Sequence, residues 1–519
     1  MLKAVKNLPG EITEDIYNRI KESVKSYTQN EVYFIWNEAW LLLIRQKKHC
    51  DADWAMKGER LSQLERFAKD IKPCEAEQRQ LFSKNQYELY YLFENEQVAE
   101  HELTIRQQEY IRTLYMEKRF AGILSFAAST TGPILVGAAL AHVELADEEF
   151  IDIAEKLESA NEVERAISEG FFKTFCVCND EAIRRTELIE NYLLRSNVLA
   201  LFKLTAETIH VINGFSKNAK RIFWKNVNVY TADNSVVPLL SFIISNLTAV
   251  KRFDEALFIL SRNELQVKDR KLPEVVYKML KAYSECDNTI TETYYLQRVI
   301  TWFQRIASRE KVLEIEWKYL NIMEEEQNCK PIAIFDEMSN NPRAFIDVLR
   351  CAYNRSDFHG EESEAGSRIA EHCFSLLWKW KQVPGSKSDG SFSIEAFFSW
   401  IAEVITFLEE NGMQDIGMEC IGETLFHAPA DTDFFLNKDI AMFLQKDKEG
   451  RYRRGYEIEA LNSVETHEIN RENLLEYKLE KEYLSKADQA AEQGYFRLSE
   501  TLRSIATELH TRGDRYLKE

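Results

Sequence analysis

Along most of this chain apolar positions recur at three- and four-residue spacings, the period of a helix and not of a strand. Glu14–Tyr27 reads as a first amphipathic helix. Asn30 can cap a second, from Glu31 to about Lys48, with Val32, Ile35, Trp36, Ala39, Trp40 and Leu43 on one face. Leu61–Ala68 is a short third, and Glu77–Glu96 and Gln97–Lys118 are longer. Asp147–Glu158 and Glu162–Phe175 follow. From about Glu181 the pattern is more regular. Val236–Ala249, Phe253–Ser261, Glu274–Tyr283, Thr291–Ser308, Lys311–Glu326, Ile332–Met338, Pro342–Tyr353 and Ser367–Lys381 are the expected helices there. Most span about 10–18 residues, and hairpins recur at roughly 35–40 residues, as in helical-repeat arrays. Ile394–Asn411, Gln414–Phe426 and a terminal hairpin of Arg471–Gly494 with Tyr495–Lys518 complete the series.

Turn formers are scarce, and their placement changes this picture. The chain has 18 Gly and 9 Pro in 519 residues, about 5% against roughly 12% in average proteins. Strands need turns and turns use these residues, so the expected fold class is all-α. Phe120–Val143 holds no charged residue over 24 positions, long enough to span a bilayer. Ser129-Thr130-Thr131-Gly132-Pro133 cuts it, and two buried helices in a hairpin are expected instead. Pro384-Gly385-Ser386-Lys387-Ser388-Asp389-Gly390-Ser391 reads as a linker. The expected parts are therefore an N-terminal helical region at 1–118, a helical-repeat region at 119–383 and a C-terminal helical region at 392–519. Phe253-Asp254-Glu255-Ala256-Leu257 looks like the second helix of a tetratricopeptide-type hairpin, and a helical-hairpin array of the TPR or HEAT-like α-solenoid kind is expected.

Composition narrows partners and compartment. The net charge of −19 repels phosphate backbones, so nucleic acid is a disfavoured partner unless basic residues cluster. The nine Cys are odd in number and scattered, which points to reduced, mostly buried thiols in a cytoplasmic protein. Met1–Pro9 has lysines but no apolar core after it, so no signal peptide is expected.

Motifs for chemistry are few. No P-loop pattern, GxGxxG or HExxH occurs, so no cofactor, metal or nucleotide site is expected. Glu371-His372-Cys373 and Cys176-Val177-Cys178 supply ligand types, but helical neighbours point in different directions. Glu314-Ile315-Glu316-Trp317-Lys318 contains a nuclease-like ExK fragment, which needs a strand to place its groups on one face. Arg503 and His510 lie seven apart, near one helix face, and loosely resemble the Arg/His pair of all-helical HEPN ribonucleases. They are the candidate catalytic residues. Lys217, Lys220, Arg221 and Lys225 surround Phe223 and Trp224. Interleaved cations and rings can hold phosphates and stack bases, so Lys217, Lys220, Arg221, Trp224 and Lys225 are the candidate nucleic-acid contacts.

Two regions carry a resemblance. His49-Cys50-Asp51-Ala52-Asp53-Trp54-Ala55-Met56 is followed by Leu61-Ser62-Gln63-Leu64-Glu65. Later come Ile421-Gly422-Glu423-Thr424-Leu425-Phe426-His427-Ala428-Pro429-Ala430-Asp431, Gly450-Arg451-Tyr452-Arg453-Arg454-Gly455 and Tyr495-Phe496-Arg497-Leu498-Ser499-Glu500-Thr501-Leu502-Arg503. Over Asn30–Val143 and Trp378–Tyr516 this resembles the helical C-terminal half of large bacterial NTPase-associated proteins of anti-phage and conflict systems (STAND-like). The resemblance implies a helical-repeat sensor or scaffold whose NTPase or effector lies elsewhere. It carries over no functional residue. The expected function is thus a non-catalytic scaffold or sensor binding a protein partner. The alternatives are an all-helical HEPN-type ribonuclease and a nucleic-acid-binding helical protein.

Overall fold

The computed structural model describes residues 10–52, 54–84, 89, 96–263, 269–286, 293–324, 329–353, 364–387, 390–464 and 475–518. Among them every regular element is a helix and no strand forms. The only pairing of strand type among these residues is two isolated bridges, Ser386 with Phe392 and Asp431 with Phe434. The periodicity places many helices to within a few residues: Asp147–Lys156, Glu162–Cys178, Phe253–Asn263, Leu272–Ser284, Pro342–Tyr353, Ile394–Asn411 and Gln414–Leu425.

Local chemistry explains where the reading shifts. Thr28, not Asn30, caps Gln29–Lys48, in a reciprocal box: the Glu31 N–H donates to Thr28 Oγ1 at 3.3 Å, and the Thr28 N–H to Glu31 Oε2 at 2.7 Å. The Thr28 N–H and hydroxyl, both donating to Glu31 Oε2, hold that carboxyl below its usual range. Gln97–Lys118 stops where expected: Arg119, with φ 54°, breaks the helical path within Glu96–Ala127. Lys311–Glu326 is instead Arg309–Lys318 followed by Leu320–Glu324. Tyr192–Ala200, Ala206–Asn213, Lys438–Lys446 and Arg451–Asn462 are helices the periodicity did not single out. Most of Leu81–Glu96 lies outside the described residues.

The uncharged run is split as expected. Its first part closes Glu96–Ala127, and Pro133, at the first turn, opens Pro133–Leu140. No described helix is long and apolar enough to cross a membrane.

The chain forms two compact units, Met1–Asp269 and Arg270–Glu519. In the first, Tyr17 stacks on Phe67 at 4.5 Å, and Phe150 packs among Phe171, Phe172 and Phe175. In the second, Trp380, Trp400 and Phe345 meet within 6.0 Å, and Leu498, Leu502, Ile505 and Leu509 are fully buried. Each such side chain contributes about 1.5–3 kcal/mol on burial. Gly385 sits in a packed corner of the second unit. There the Gly385 N–H donates to the Ser339 carbonyl at 2.9 Å and the Ser393 N–H to the Gly385 carbonyl at 3.1 Å. Gly385 has φ 82° and its α-carbon faces the Phe397 backbone, so only glycine fits. Gly385 here shapes a corner.

The thiols are less buried than expected. All nine are free, but only Cys329 and Cys373 are fully buried, and Cys50, Cys74 and Cys178 are exposed.

Candidate functional site

Arg503 and His510 lie on Phe496–Lys518, and each is engaged by a different carboxylate of the neighbouring helix Leu475–Glu492. Arg503 Nη2 donates to Asp488 Oδ1 at 2.5 Å, and His510 Nδ1 lies 3.1 Å from Glu480 Oε2. The Glu480 bond holds the His510 imidazole above its usual range. The pair thus fastens a hairpin at two separate points.

The basic stretch divides into two faces of helix Lys217–Asn226. Trp224 is 1% exposed and edge-on to Phe223 and Phe242, so its ring cannot stack on a base. This corrects its place among the nucleic-acid contacts: the ring is needed inside by the core. Lys217, Arg221 and Lys225 are exposed and Lys220 is half-buried. None of the four forms an ion pair among the described residues.

The ExK fragment is helical, so its acids diverge. Glu314 bonds Lys281 at 2.9 Å on the outside. Glu316 is buried and accepts from the N–H groups of Ala333 and Ile334 at 3.1 and 2.9 Å and from Gln304 Nε2 at 2.7 Å. It closes the N-terminus of Ile332–Asn340, and burial pushes its carboxyl up to about 7. Among the described residues no group of three or more His, Cys, Asp or Glu is placed to hold a metal.

An open apolar groove of about 430 Å³ runs between Arg309–Lys318, Ile332–Asn340 and Pro342–Tyr353. Leu313, Trp317, Ile334, Met338, Ala344 and Val348 line it, with Glu314, Lys318 and Glu337 at its edge. Trp317 is 47% exposed.

The most specific geometry is a pair of helix crossings. Pro133–Leu140 packs on Glu162–Cys178, past the intervening helix Asp147–Lys156. A Cβ on Gly137 would stand 2.0 Å from the Ile167 carbonyl oxygen, and one on Gly170 2.0 Å from that of Ile134. In the second unit Gln414–Leu425 packs on Arg451–Asn462, past Lys438–Lys446. There a Cβ on Gly422 would meet the Tyr452 carbonyl oxygen at 2.1 Å, and one on Gly455 that of Glu419 at 2.0 Å. In both, backbone lies directly on backbone, which only glycine allows.

The two crossings superpose by number. Each glycine pair is 33 positions apart, and a shift of 285 positions carries one onto the other. The same shift carries Ile134 and Ile167, which receive the glycines, onto Glu419 and Tyr452. It also matches Gly132 with Gly417, Leu140 with Leu425, His142 with His427 and Phe171 with Tyr456. Two pairs of crossed helices thus share one design.

They differ in what flanks the crossing. Positions 138 and 174 are Ala138 and Thr174; their counterparts are Glu423 and Glu459. The Glu459 side chain is 6% exposed and that of Glu423 15%. Lys381, from the corner after helix Glu364–Lys379, reaches between them: its Nζ donates to Glu459 Oε2 at 2.5 Å and to Glu423 Oε2 at 3.2 Å. His427 Nε2 lies 2.7 Å from Glu459 Oε1. Burial holds the Glu423 carboxyl above its usual range despite Lys381. Burial acts the same way on Glu459, but the bonds from His427 and Lys381 outweigh it and hold that carboxyl low. Burial pushes the Cys420 thiol up to about 12, with Glu423 and Glu419 adding to it.

The sequence reading passed over this centre. The one local signal was Glu423 on the helix with His427 just past its end. Lys381 and Glu459 are distant in sequence, and the helix bearing Glu459 was not expected.

Compared with models of protein families, with curated proteins and with solved structures, the chain matches none.

Proposed function

We propose that the protein is a non-catalytic interaction protein, a helical scaffold or sensor that binds a protein partner through stacked helices. The groove around Trp317 carries this reading. A large ring left half in water at the mouth of an apolar groove, with a charged edge, suits the apolar face of a partner helix. The recurrence of helices packed on the next but one, as in both crossings, supports a stacked array of the solenoid kind. The resemblance supplies a setting, a bacterial anti-phage system with the NTPase or effector on another chain.

The test is retention of a defined partner. The scaffold reading expects that a partner co-purified with the native chain is lost by Trp317→Ser while the melting curve stays in place. A partner held equally well by Trp317→Ser removes the groove as its site. RNA cleavage by the purified chain, abolished in His510→Ala, would instead favour the ribonuclease reading.

A further inference from the structure

We propose that the charged centre of the second crossing is a proton-operated latch: Lys381, held between Glu423 and Glu459, fastens the corner at residues 380–383 to the crossed helices, and a proton on Glu423 sets how firmly the module is held. The inference does not depend on the groove.

The crossing itself does not need the centre. The first module makes the same backbone contact with Ala138 and Thr174 at the matching positions. Drawing two carboxylates largely out of water is costly, and apolar replacements of a buried ion cluster are often neutral or stabilising. A cluster kept at that cost, where its twin does without, points to a task other than folding.

Charge count makes the centre a proton acceptor. With both carboxylates ionised, Lys381, Glu423 and Glu459 together carry one net negative charge, which a single proton on a carboxylate cancels. Glu459 has both oxygens committed, one to Lys381 and one to His427. Glu423 has the longer bond to Lys381. Around Glu423 stand Glu419 and Cys420 on its own helix, Glu459 across the crossing and Tyr353 from helix Pro342–Tyr353. Lys381 is the cation bonded to it, since Arg454 is engaged with Glu419 at 3.2 Å. Of the two carboxylates, Glu423 is therefore the one that takes a proton, while the Lys381–Glu459 bond persists.

The sign follows. Glu423 binds its proton more readily in the fold than in the unfolded chain. Stability is therefore gained as pH falls from neutral toward the ordinary carboxylate range and lost as pH rises through the folded value. Acid tightens the second module.

Amide exchange of the full chain tests this, corrected for intrinsic rate, between about pH 7.5 and about pH 5, above the usual glutamate value. Exchange in Gln414–Leu425 and Arg451–Asn462 is expected to slow as pH falls. Each pKa unit by which the folded carboxyl exceeds the unfolded one allows about a tenfold slowing. Glu423→Gln, neutral in the same shape, is expected to be slow at both ends and flat between. A triple variant, Lys381→Met with Glu423→Ala and Glu459→Thr, copies the first crossing and is expected to keep its helices and lose the pH response. A Glu423→Gln profile that tracks the native chain overturns the proposal. So does a triple variant that unfolds while Glu423→Gln folds, since the centre would then be part of what the module needs.

Discussion

The crossing at Gly137 and Gly170 and the crossing at Gly422 and Gly455 make the same contact in different surroundings. Both set glycine against a carbonyl oxygen at a spacing no side chain tolerates. The first is flanked by Ala138 and Thr174, with Phe150, Phe171 and Phe172 packed edge to edge beside it. The second is flanked by Glu423, Glu459, Lys381 and His427. The difference separates what the module needs from what one copy has added. Close helix approach is common to both, and ionic chemistry is not.

The largest effects are expected at the glycines. In an open helix Gly→Ala stabilises by about 0.5–1 kcal/mol. At Gly137, Gly170, Gly422 and Gly455 the sign reverses, with a loss of about 3 kcal/mol, the upper end of overpacking costs. Gly214, where a Cβ would sit 3.4 Å from the Val211 carbonyl, is the control and should lose nothing. Within a pair the second substitution should cost less than the first, because the helices have already parted. Denaturation of the single and double variants checks this, and additive losses would break the parallel.

Next in size is Lys381→Met, which leaves two largely buried carboxylates without their shared cation. A loss of about 1–3 kcal/mol is expected, on the scale of a stranded buried polar group, read from the denaturation midpoint. Adding Glu423→Ala and Glu459→Thr should recover most of it, because the second crossing then carries the first one's residues.

A smaller effect distinguishes the modules by pH. Burial, and then Arg112, hold the His142 imidazole below its usual range. The fold therefore favours its neutral form. Stability at the first crossing is present above the unfolded value of about 6.5 and is lost as pH falls through it. Acid should loosen the first module while it tightens the second. Amide exchange resolved by segment reads both at once, and His142→Gln should flatten the first response alone.

The smallest effect is expected at the terminal hairpin. Arg503→Ala and His510→Ala remove exposed ion pairs, which contribute little. Exchange protection of Arg451–Asn462, which packs on Phe496–Lys518, should stay unchanged. A large loss there would mean that the hairpin, and not the glycine contact, holds the second crossing.

How much of this was legible varied with the range of the interaction. The helix Glu162–Cys178 could be seen from its apolar stripe, and its single glycine, Gly170, did not hide it because Phe171, Phe172 and Phe175 follow it. Arg451–Asn462 was missed because Gly455 and three arginines leave a weak stripe, and a glycine read locally weakens a helix. The turn formers Pro384 and Gly385 were visible, but not the corner that Gly385 forms against Ser339 and Phe397, because a corner and a linker share one composition. Trp224 beside four cations was compatible with base stacking until its ring was found in the core.

The sequence by itself determined that the chain is helical, where most helices run and where the uncharged stretch breaks. Those are properties of neighbours within a turn or two, set by period, caps and turn residues. Only the tertiary structure decided that Gly137 meets Gly170 and Gly422 meets Gly455, and that Lys381, Glu423, His427 and Glu459 share one buried centre. Their worth lies in contacts between positions tens of residues apart: a glycine's missing Cβ matters only when another backbone fills the space. A glutamate's charge state likewise depends on how much water and which cation the fold leaves beside it.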